Sequence, residues 1–218
     1  MRFQIKNVKV NVGVLKRSLG TQILKSSDIK KKAFKVAEKR AQDAKDEMLK
    51  AFEASPVTRE IDAGAENTVN FSKNLLGIGY GEGSLFGFIG FDQSDNPMEL
   101  VREYLNASGK IFKTPKTVKS AGRIYYQYKV EIPNVTNLEA MTPMPWEGGR
   151  SWIRAIERGI SGLGYYLLSN SPKSRSTQGV QASRKLRNAT YRPTKYISNI
   201  VNAYAKYLQT GKKLRLKK

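Results

Sequence analysis

Side chains that commonly carry enzyme chemistry are scarce in this sequence of 218 residues, which contains no cysteine and no histidine. Disulfides, thiol catalysis, Cys/His zinc sites and Ser-His-Asp arrangements all need one of these residues and are excluded. Outside the predicted helices, acidic residues form two short pairs, Asp62 with Glu66 and Asp92 with Asp95. Their spacing matches no metal-binding loop. The sequence therefore predicts no catalytic centre, no metal and no cofactor.

The glycine-rich run Gly77–Gly83 has the composition of a phosphate-binding loop but not its spacing. A dinucleotide fingerprint needs a third glycine where this sequence has Glu82 or Ser84, and no phosphate-loop motif ending in Gly-Lys-Ser/Thr occurs. We interpret the run as a loop beside strands.

The positive charge is concentrated in the second half of the chain. The whole chain carries 39 Lys and Arg against 18 Asp and Glu, a net charge of +21. Residues 1–109 hold 17 basic and 14 acidic side chains, whereas residues 110–218 hold 22 and 4. This distribution favours contact with a polyanion or with an acidic protein surface. The alternative is a solvated basic tail that only aids solubility.

Cations in the C-terminal segment are the candidates for contacting phosphates or an acidic partner without reading nucleotide sequence. Stacking of bases on the tyrosines of residues 125–128 is a second way to bind nucleic acid. Tyrosines that alternate along a strand, however, more often pack a half-buried sheet face. The candidate cations are Arg175, Arg184, Lys185, Arg187, Arg192 and Lys195.

One long helix with a stripe of small apolar residues is predicted over 29–52. Serine and aspartate at 26–28 can cap its N-terminus, and Pro56 ends it, so that residues 56–61 open a loop. A stripe rich in alanine is suited to close packing on a sheet. The stripe is assigned to Ile29, Ala33, Val36, Ala37, Ala41, Ala44, Met48, Ala51 and Phe52.

Three runs predict the strands of a small sheet. Residues 3–14 alternate with a slip that predicts a bulge near Asn7, residues 85–91 are apolar on both faces, and residues 123–132 alternate most regularly. Residues 110–113 are a neighbour that can pair with the last run. The runs lack the spacing of βαβ units. We therefore expect an α+β fold: a long N-terminal helix packed on a small antiparallel sheet, with C-terminal helices and a basic arm.

Further helices are predicted over 97–105, 148–168 and 194–208. The last of these has an apolar stripe inside a strongly basic segment, and we expect that stripe to dock on a neighbouring subunit or another partner surface. Trp146 and Trp152 lie at the entry to the middle helix. Plain core packing and an anchor at a subunit contact both explain the two tryptophans, because tryptophan is enriched in cores and in interface hot spots.

The order of these pieces resembles the tail-completion (neck) proteins of tailed bacteriophages, which are small α+β ring proteins between the portal and the tail. The resemblance rests on the N-terminal strand, on the long Ala/Lys-rich helix that runs into Pro56-Val57-Thr58-Arg59-Glu60-Ile61, and on the apolar run Leu85–Phe91. It covers roughly residues 1–160, and the basic segment after Leu168 lies outside it.

The resemblance implies a structural function in the virion neck, with assembly in the host cytoplasm. Copies of the chain would form a ring, six- or twelve-fold, that joins the head connector to the tail. The implied partners are the chain itself, portal-side proteins, and the tail tube or tail terminator, with nonspecific contact to genomic DNA and no membrane. The alternative function is a sequence-nonspecific DNA- or RNA-binding protein that uses its basic C-terminal half.

The same resemblance divides the chain into a ring-forming α+β domain (1–168) and a basic C-terminal arm with one amphipathic helix (169–218). Ring closure needs a different surface on each side of the subunit. The subunit-interface candidates are Pro56, Val57, Thr58, Phe86, Phe88, Trp146 and Trp152.

Overall fold

The computed structural model describes residues 2–14, 26–64, 85–121, 123–145, 147–158, 165–168, 180–185 and 194–211. Its elements are β1 (Gln4–Val14), α1 (Ser27–Glu53), α2 (Pro56–Asp62), α3 (Leu85–Ile89), α4 (Pro97–Ala107), β2 (Lys116–Ser120), β3 (Arg123–Ile132), α5 (Val135–Met141), β4 (Pro143–Met144), β5 (Glu147–Ser151), α6 (Trp152–Arg158), β6 (Tyr165–Leu168), β7 (Val180–Lys185) and α7 (Ile197–Thr210). Helices and antiparallel strands are mixed along the chain, so the predicted α+β class is confirmed.

Strand β3 is the centre of a three-stranded antiparallel sheet in the order β1-β3-β2. The predicted strand over 123–132 and its antiparallel pairing with the N-terminal strand are confirmed, and Val8 lies opposite Tyr128. The third strand is β2, which the sequence did not predict. Residues 110–113 contribute one isolated bridge, from Ile111 to Val130.

Helix α1 packs on the inner face of this sheet. The Phe34 and Tyr128 rings meet edge to face at 5.7 Å, and the Tyr128 hydroxyl donates to the Lys30 carbonyl oxygen. The prediction that this helix packs on the sheet is confirmed, but Val36 does not belong to its buried stripe and is half exposed. Position 36 lies too far round the helix from the centre of the stripe. The buried stripe is Ala33, Ala37, Ala41, Ala44, Met48 and Phe52.

The predicted bulge near Asn7 is wrong. The register runs without a shift from Gln4 to Asn11, and the irregularity lies between Asn11 and Gly13. There the Asn11 side-chain oxygen accepts the Gly13 N–H at 3.2 Å, a local bond that competes with the ladder. Because no residue is inserted earlier, Ile5 stays on the outer face, where it is exposed.

Two segments predicted as loop and strand are short helices. Pro56 begins α2 instead of only ending α1, since proline fits the first helical position, where no N–H bond is needed. Residues 85–89 form α3, so the predicted strand at 85–91 is wrong. Its first N–H is accepted by the buried Glu60 carboxylate at 2.8 Å. A run that is apolar all round has no period that distinguishes strand from helix, and this tertiary contact decides between them.

The predicted helix over 148–168 is divided among three elements. Strand β5 ends at Ser151, helix α6 covers Trp152–Arg158, and Tyr165–Leu168 pairs with Val180–Lys185 as a second hairpin. For the last two strands the structure describes the backbone. The Ser151 hydroxyl accepts the Arg154 N–H at 3.2 Å and caps the helix, which starts four residues later than the sequence predicts.

The chain divides into two compact units, each built from separate segments. The domain boundary predicted at residue 168 stays a prediction. The first unit contains the sheet and comprises Met1–Ala51, Glu103–Asn134 and Asn199–Lys218. The second comprises Phe52–Arg102 and Val135–Ser198.

The helix predicted over 194–208 is present as α7, but its apolar stripe is buried within its own chain. Its Ser198 N–H donates to Glu157 at 2.6 Å, so a carboxylate stabilises the helix start. The interpretation of this stripe as a docking surface for another subunit is corrected, because these side chains belong to the core of their own chain. The buried residues are Tyr196, Ile197, Ile200, Val201, Tyr204 and Leu208.

Candidate functional site

The outer face of the three-stranded sheet carries a group of exposed cations. Successive residues of a strand point to opposite faces, and the residues flanking Lys9 are buried, so Lys9 points outward. Lys9 and Lys116 lie opposite the same residue, Gln127, so one row across the sheet carries both lysines. We name this surface the basic sheet face and define it by four exposed cations: Lys9, Lys116, Arg123 and Lys129.

The basic sheet face is suited to electrostatic contacts. Of the described residues on its three strands, Glu131 alone adds a negative charge to the outer face. A polar cleft of about 390 Å³ lies beside it, lined by Asn7, Lys9, Gln127 and Gln209. Exposed ammonium and guanidinium groups on a sheet surface can contact phosphate oxygens or carboxylates without reading sequence.

Two of the tyrosines considered for base stacking are in the core. Tyr126 and Tyr128 are fully buried on the inner face of the sheet, and burial raises the pKa of both phenols. Tyr125 is the one tyrosine of residues 125–128 that points to the outer face, where it is half-buried. For Tyr126 and Tyr128, the correct alternative is therefore packing against the sheet face and not base stacking.

Arg102 links the last residues of α1 and α2 to α4. Its guanidinium donates to both carboxylate oxygens of Glu53, at 2.8 and 3.1 Å, and to Asp62 at 2.8 Å. These hydrogen bonds raise the pKa of Arg102, and burial opposes them only in part. Glu53 ends α1, Asp62 ends α2 and Arg102 lies in α4. The two-carboxylate contact therefore fixes the orientation of α4.

A buried pair of hydroxyls ties the start of α2 to the residue before α7. Thr58 and Tyr196 share a hydrogen bond, and the Tyr196 ring stacks on Phe52 at a centroid distance of 6.3 Å. Burial raises the pKa of Tyr196, which the bond from Thr58 lowers only in part, so the phenol stays neutral. Both hydroxyls are buried and are bonded to each other, so we assign the contact to the core.

We expect Tyr196→Phe to lower the free energy of unfolding by about 1–3 kcal/mol, because it leaves the buried Thr58 hydroxyl without its partner. Thr58→Val combined with Tyr196→Phe should recover much of that loss, since both polar atoms are then gone. Tyr204→Phe is the matched control: its buried hydroxyl has no hydrogen-bond partner among the described residues, so its removal should cost little. Urea unfolding of the three variants and the parent chain measures this. Equal losses for Tyr196→Phe and Tyr204→Phe would contradict the hydroxyl pair.

The second unit contains an apolar groove of about 300 Å³. One wall comes from the turn before α4 and from α4 itself, and the other from the end of α5 and strand β4. We name this surface the acidic groove. Its lining residues are Phe91, Asp95, Asn96, Pro97, Leu100, Met141, Thr142, Pro143, Pro145 and Trp152.

The floor of the acidic groove is rigidly held. Trp152 is buried, its ring meets Phe91 edge to face at 5.8 Å, and its backbone N–H donates to the Thr142 carbonyl oxygen at 3.0 Å. The Thr142 and Ser151 hydroxyls are hydrogen-bonded at 2.9 Å. The prolines in the walls have fixed backbone torsions, so a ligand would meet a preformed surface.

One wall of the acidic groove comes from an acidic stretch of an otherwise basic protein. Residues 85–101 contain Asp92, Asp95 and Glu99 and no Lys or Arg. The next residue, Arg102, is engaged with Glu53 and Asp62. The Asp95 carboxylate accepts the Asp92 N–H at 2.8 Å, which holds the turn in place. The groove therefore offers an apolar bed with carboxylates at one edge.

The residues that the sequence singled out do not form one site. The interface role predicted for Val57, Thr58 and Phe86 is corrected, because all three are buried in their own chain. Trp152 is also buried but lines the acidic groove, so its predicted interface role stays a prediction. Pro56 is exposed and stays an interface candidate. The side chains of Phe88 and Trp146 lie outside the described residues.

Among the predicted phosphate contacts, Lys195 is exposed. Arg184 and Lys185 lie on β7, whose side chains are outside the described residues, as are Arg175, Arg187 and Arg192. The sequence missed both the basic sheet face and the acidic groove. One signal was available: residues 85–101 hold three acids and no base, and residues 110–119 hold four lysines and no acid.

In the described part of the chain, no group of three or more acidic side chains is placed to hold a metal ion. None of the described helices is both long enough and apolar enough to span a membrane. Comparison with protein-family models, curated proteins and solved structures found no match to this chain.

Proposed function

We propose that this chain is a structural, non-enzymatic protein of a tailed-phage neck, which forms a ring joining the head connector to the tail. The observation that carries the proposal is the presence of two surfaces of opposite charge on one chain. The basic sheet face carries four exposed cations, and the acidic groove has Asp95 in its lining and Glu99 bonded to its lining residue Asn96. The resemblance of the N-terminal helix and its Pro56-Val57-Thr58 continuation to neck proteins supports the same function.

Complementary surfaces of different composition favour head-to-tail assembly. Such heterologous contacts close into a ring when the rotation per subunit divides a full turn. In a ring of this kind the cations that remain uncovered would face the DNA that passes through, or acidic surfaces of the neighbouring connector and tail components. The charge of +21 suits either partner, because both present closely spaced negative groups.

The second candidate function is nonspecific binding of DNA or RNA by a free protein. The basic sheet face favours it, since four cations on one side of a sheet can neutralise several phosphates at once. In this case the basic side chains would bind a separate nucleic acid and would not make contacts within an assembly.

Light scattering at moderate salt distinguishes the two functions. We expect a fixed mass several times 24.5 kDa without any nucleic acid, and dissociation at high salt. A monomeric mass, together with DNA affinity that falls steeply with salt, would contradict the ring and support the second candidate.

A triple variant tests whether the basic sheet face contacts phosphates. Lys9→Gln, Lys116→Gln and Lys129→Gln together should reduce the slope of log affinity for duplex DNA against log salt by about 2–3. The matched control removes the same charge from exposed positions of α1, with Lys31→Gln, Lys35→Gln and Lys39→Gln. An equal change in slope for both triple variants would show that the sheet face is not the contact surface.

A further inference from the structure

Large apolar side chains are exposed at few positions in the described residues. They are Ile5, Val36, Leu100 and Phe112. Two of them stand out by their electrostatic surroundings. Leu100 lines the acidic groove, and Phe112 lies in the segment 110–119, which holds four lysines and no acid. Each is 38% exposed.

The backbone around Phe112 is firmly attached to the sheet. The Phe112 N–H donates to the Lys129 carbonyl oxygen at 2.9 Å, and the Glu131 N–H donates to the Lys110 carbonyl oxygen at 2.9 Å. The turn that leads into this segment passes through Gly109 with φ +92°, a torsion that side chains rarely adopt. Phe112 is therefore an aromatic side chain presented on a fixed base, with Lys110 and Lys113 exposed on either side.

The acidic groove has the complementary properties. Its walls are formed by prolines, Leu100 and Met141, its volume of about 300 Å³ is sufficient for an aromatic ring, and Asp95 lies in its lining. The Glu99 carboxylate accepts a hydrogen bond from the lining residue Asn96 at 3.0 Å, which places a second carboxylate at this edge. A ring that enters it would displace water from apolar surface. At the same time lysines next to the ring would approach the carboxylates at the rim.

We propose that Phe112 of one copy of this chain inserts into the acidic groove of a second copy, with Lys110 and Lys113 facing the rim carboxylates. The inference rests on the proposed ring-forming function and names the contact that would hold the ring together. The occupant is a second copy because charge complementarity requires a basic segment with an exposed apolar anchor, and residues 110–119 supply one. The contact joins two different patches, so every copy offers one Phe112 and one groove to its neighbours.

Single substitutions on either side should weaken assembly to a similar degree. Phe112→Ala removes the anchor, and Leu100→Asp places a charge in the groove wall. Each should raise the protein concentration at half-assembly at least tenfold, as measured by analytical ultracentrifugation. Each side chain is 38% exposed and otherwise packed in its own chain, so the urea midpoint is measured for each variant to separate loss of contact from loss of fold. Val36→Ala, at an exposed apolar position of α1, is the matched control and should assemble like the parent chain.

A mixture of the two variants tests whether the contact is heterologous. Phe112→Ala keeps an intact groove and Leu100→Asp keeps an intact anchor. Each alone should be monomeric, whereas the equimolar mixture should form dimers and nothing larger. If either variant alone formed rings like those of the parent chain, the inferred contact would be wrong, whereas the proposed ring-forming function would stand. A parent chain that stays monomeric, or that assembles only after DNA is added, would overturn both the inference and the proposed function.

Discussion

Deletion of residues 194–218 is expected to abolish cooperative unfolding of the chain. The deletion removes α7, whose stripe of tyrosine, isoleucine, valine and leucine is buried in the chain itself. Loss of a single large buried side chain costs about 2–5 kcal/mol, which is comparable to a large part of the total stability of a domain. Six buried residues are lost together, so the remaining core cannot compensate. Urea unfolding followed by tryptophan fluorescence measures the effect.

Deletion of residues 212–218 is the control for this prediction. It removes four lysines and one arginine but leaves α7 complete, so the urea midpoint should stay close to that of the full chain. A cooperative transition at an unchanged midpoint in the longer deletion would show that α7 is not part of the core. The helix would then be free to serve as an arm for another subunit.

Ala41→Asp is expected to lower the free energy of unfolding by about 3 kcal/mol or more. Ala41 is buried in the middle of the α1 stripe, which packs on the inner face of the sheet. An aspartate there would be desolvated in an apolar environment without a cation to pair with. The pKa of such a carboxyl would rise, so the loss should shrink as the pH falls below its folded-state pKa. Urea unfolding at two pH values measures both effects.

Val36→Asp introduces the same charge on the same helix at a half-exposed position. It should change the free energy of unfolding by about 0.5 kcal/mol or less. A comparable loss at both positions would mean that the charge itself, rather than its burial, destabilises the helix. Because the sequence assigned both residues to one stripe, this pair also measures how sharply the buried face is defined.

The sequence by itself determined the features that depend on local pattern. The alanine stripe predicted α1 because a period of 3.6 over more than twenty residues has no other interpretation. Strict alternation predicted β3, and the spacing of apolar residues predicted α7 and the helix that begins at Pro97. Composition also excluded chemistry that needs cysteine or histidine. These conclusions required no knowledge of which residues meet across the fold.

Only the tertiary structure decided what each predicted helix or strand packs against. Residues 85–89 form a helix whose first N–H is accepted by Glu60, which is distant in sequence. The apolar stripe of α7 entered the core of its own chain, although its basic surroundings favoured an external partner. The two opposed surfaces depend in the same way on long-range pairing. Strand register collects Lys9, Lys116 and Lys129 on one face, and the groove brings Leu100 to Pro143. A single sequence does not specify such distances. Burial and charge pairing depend on the side chains that surround a residue in the folded chain, and not on the residue alone.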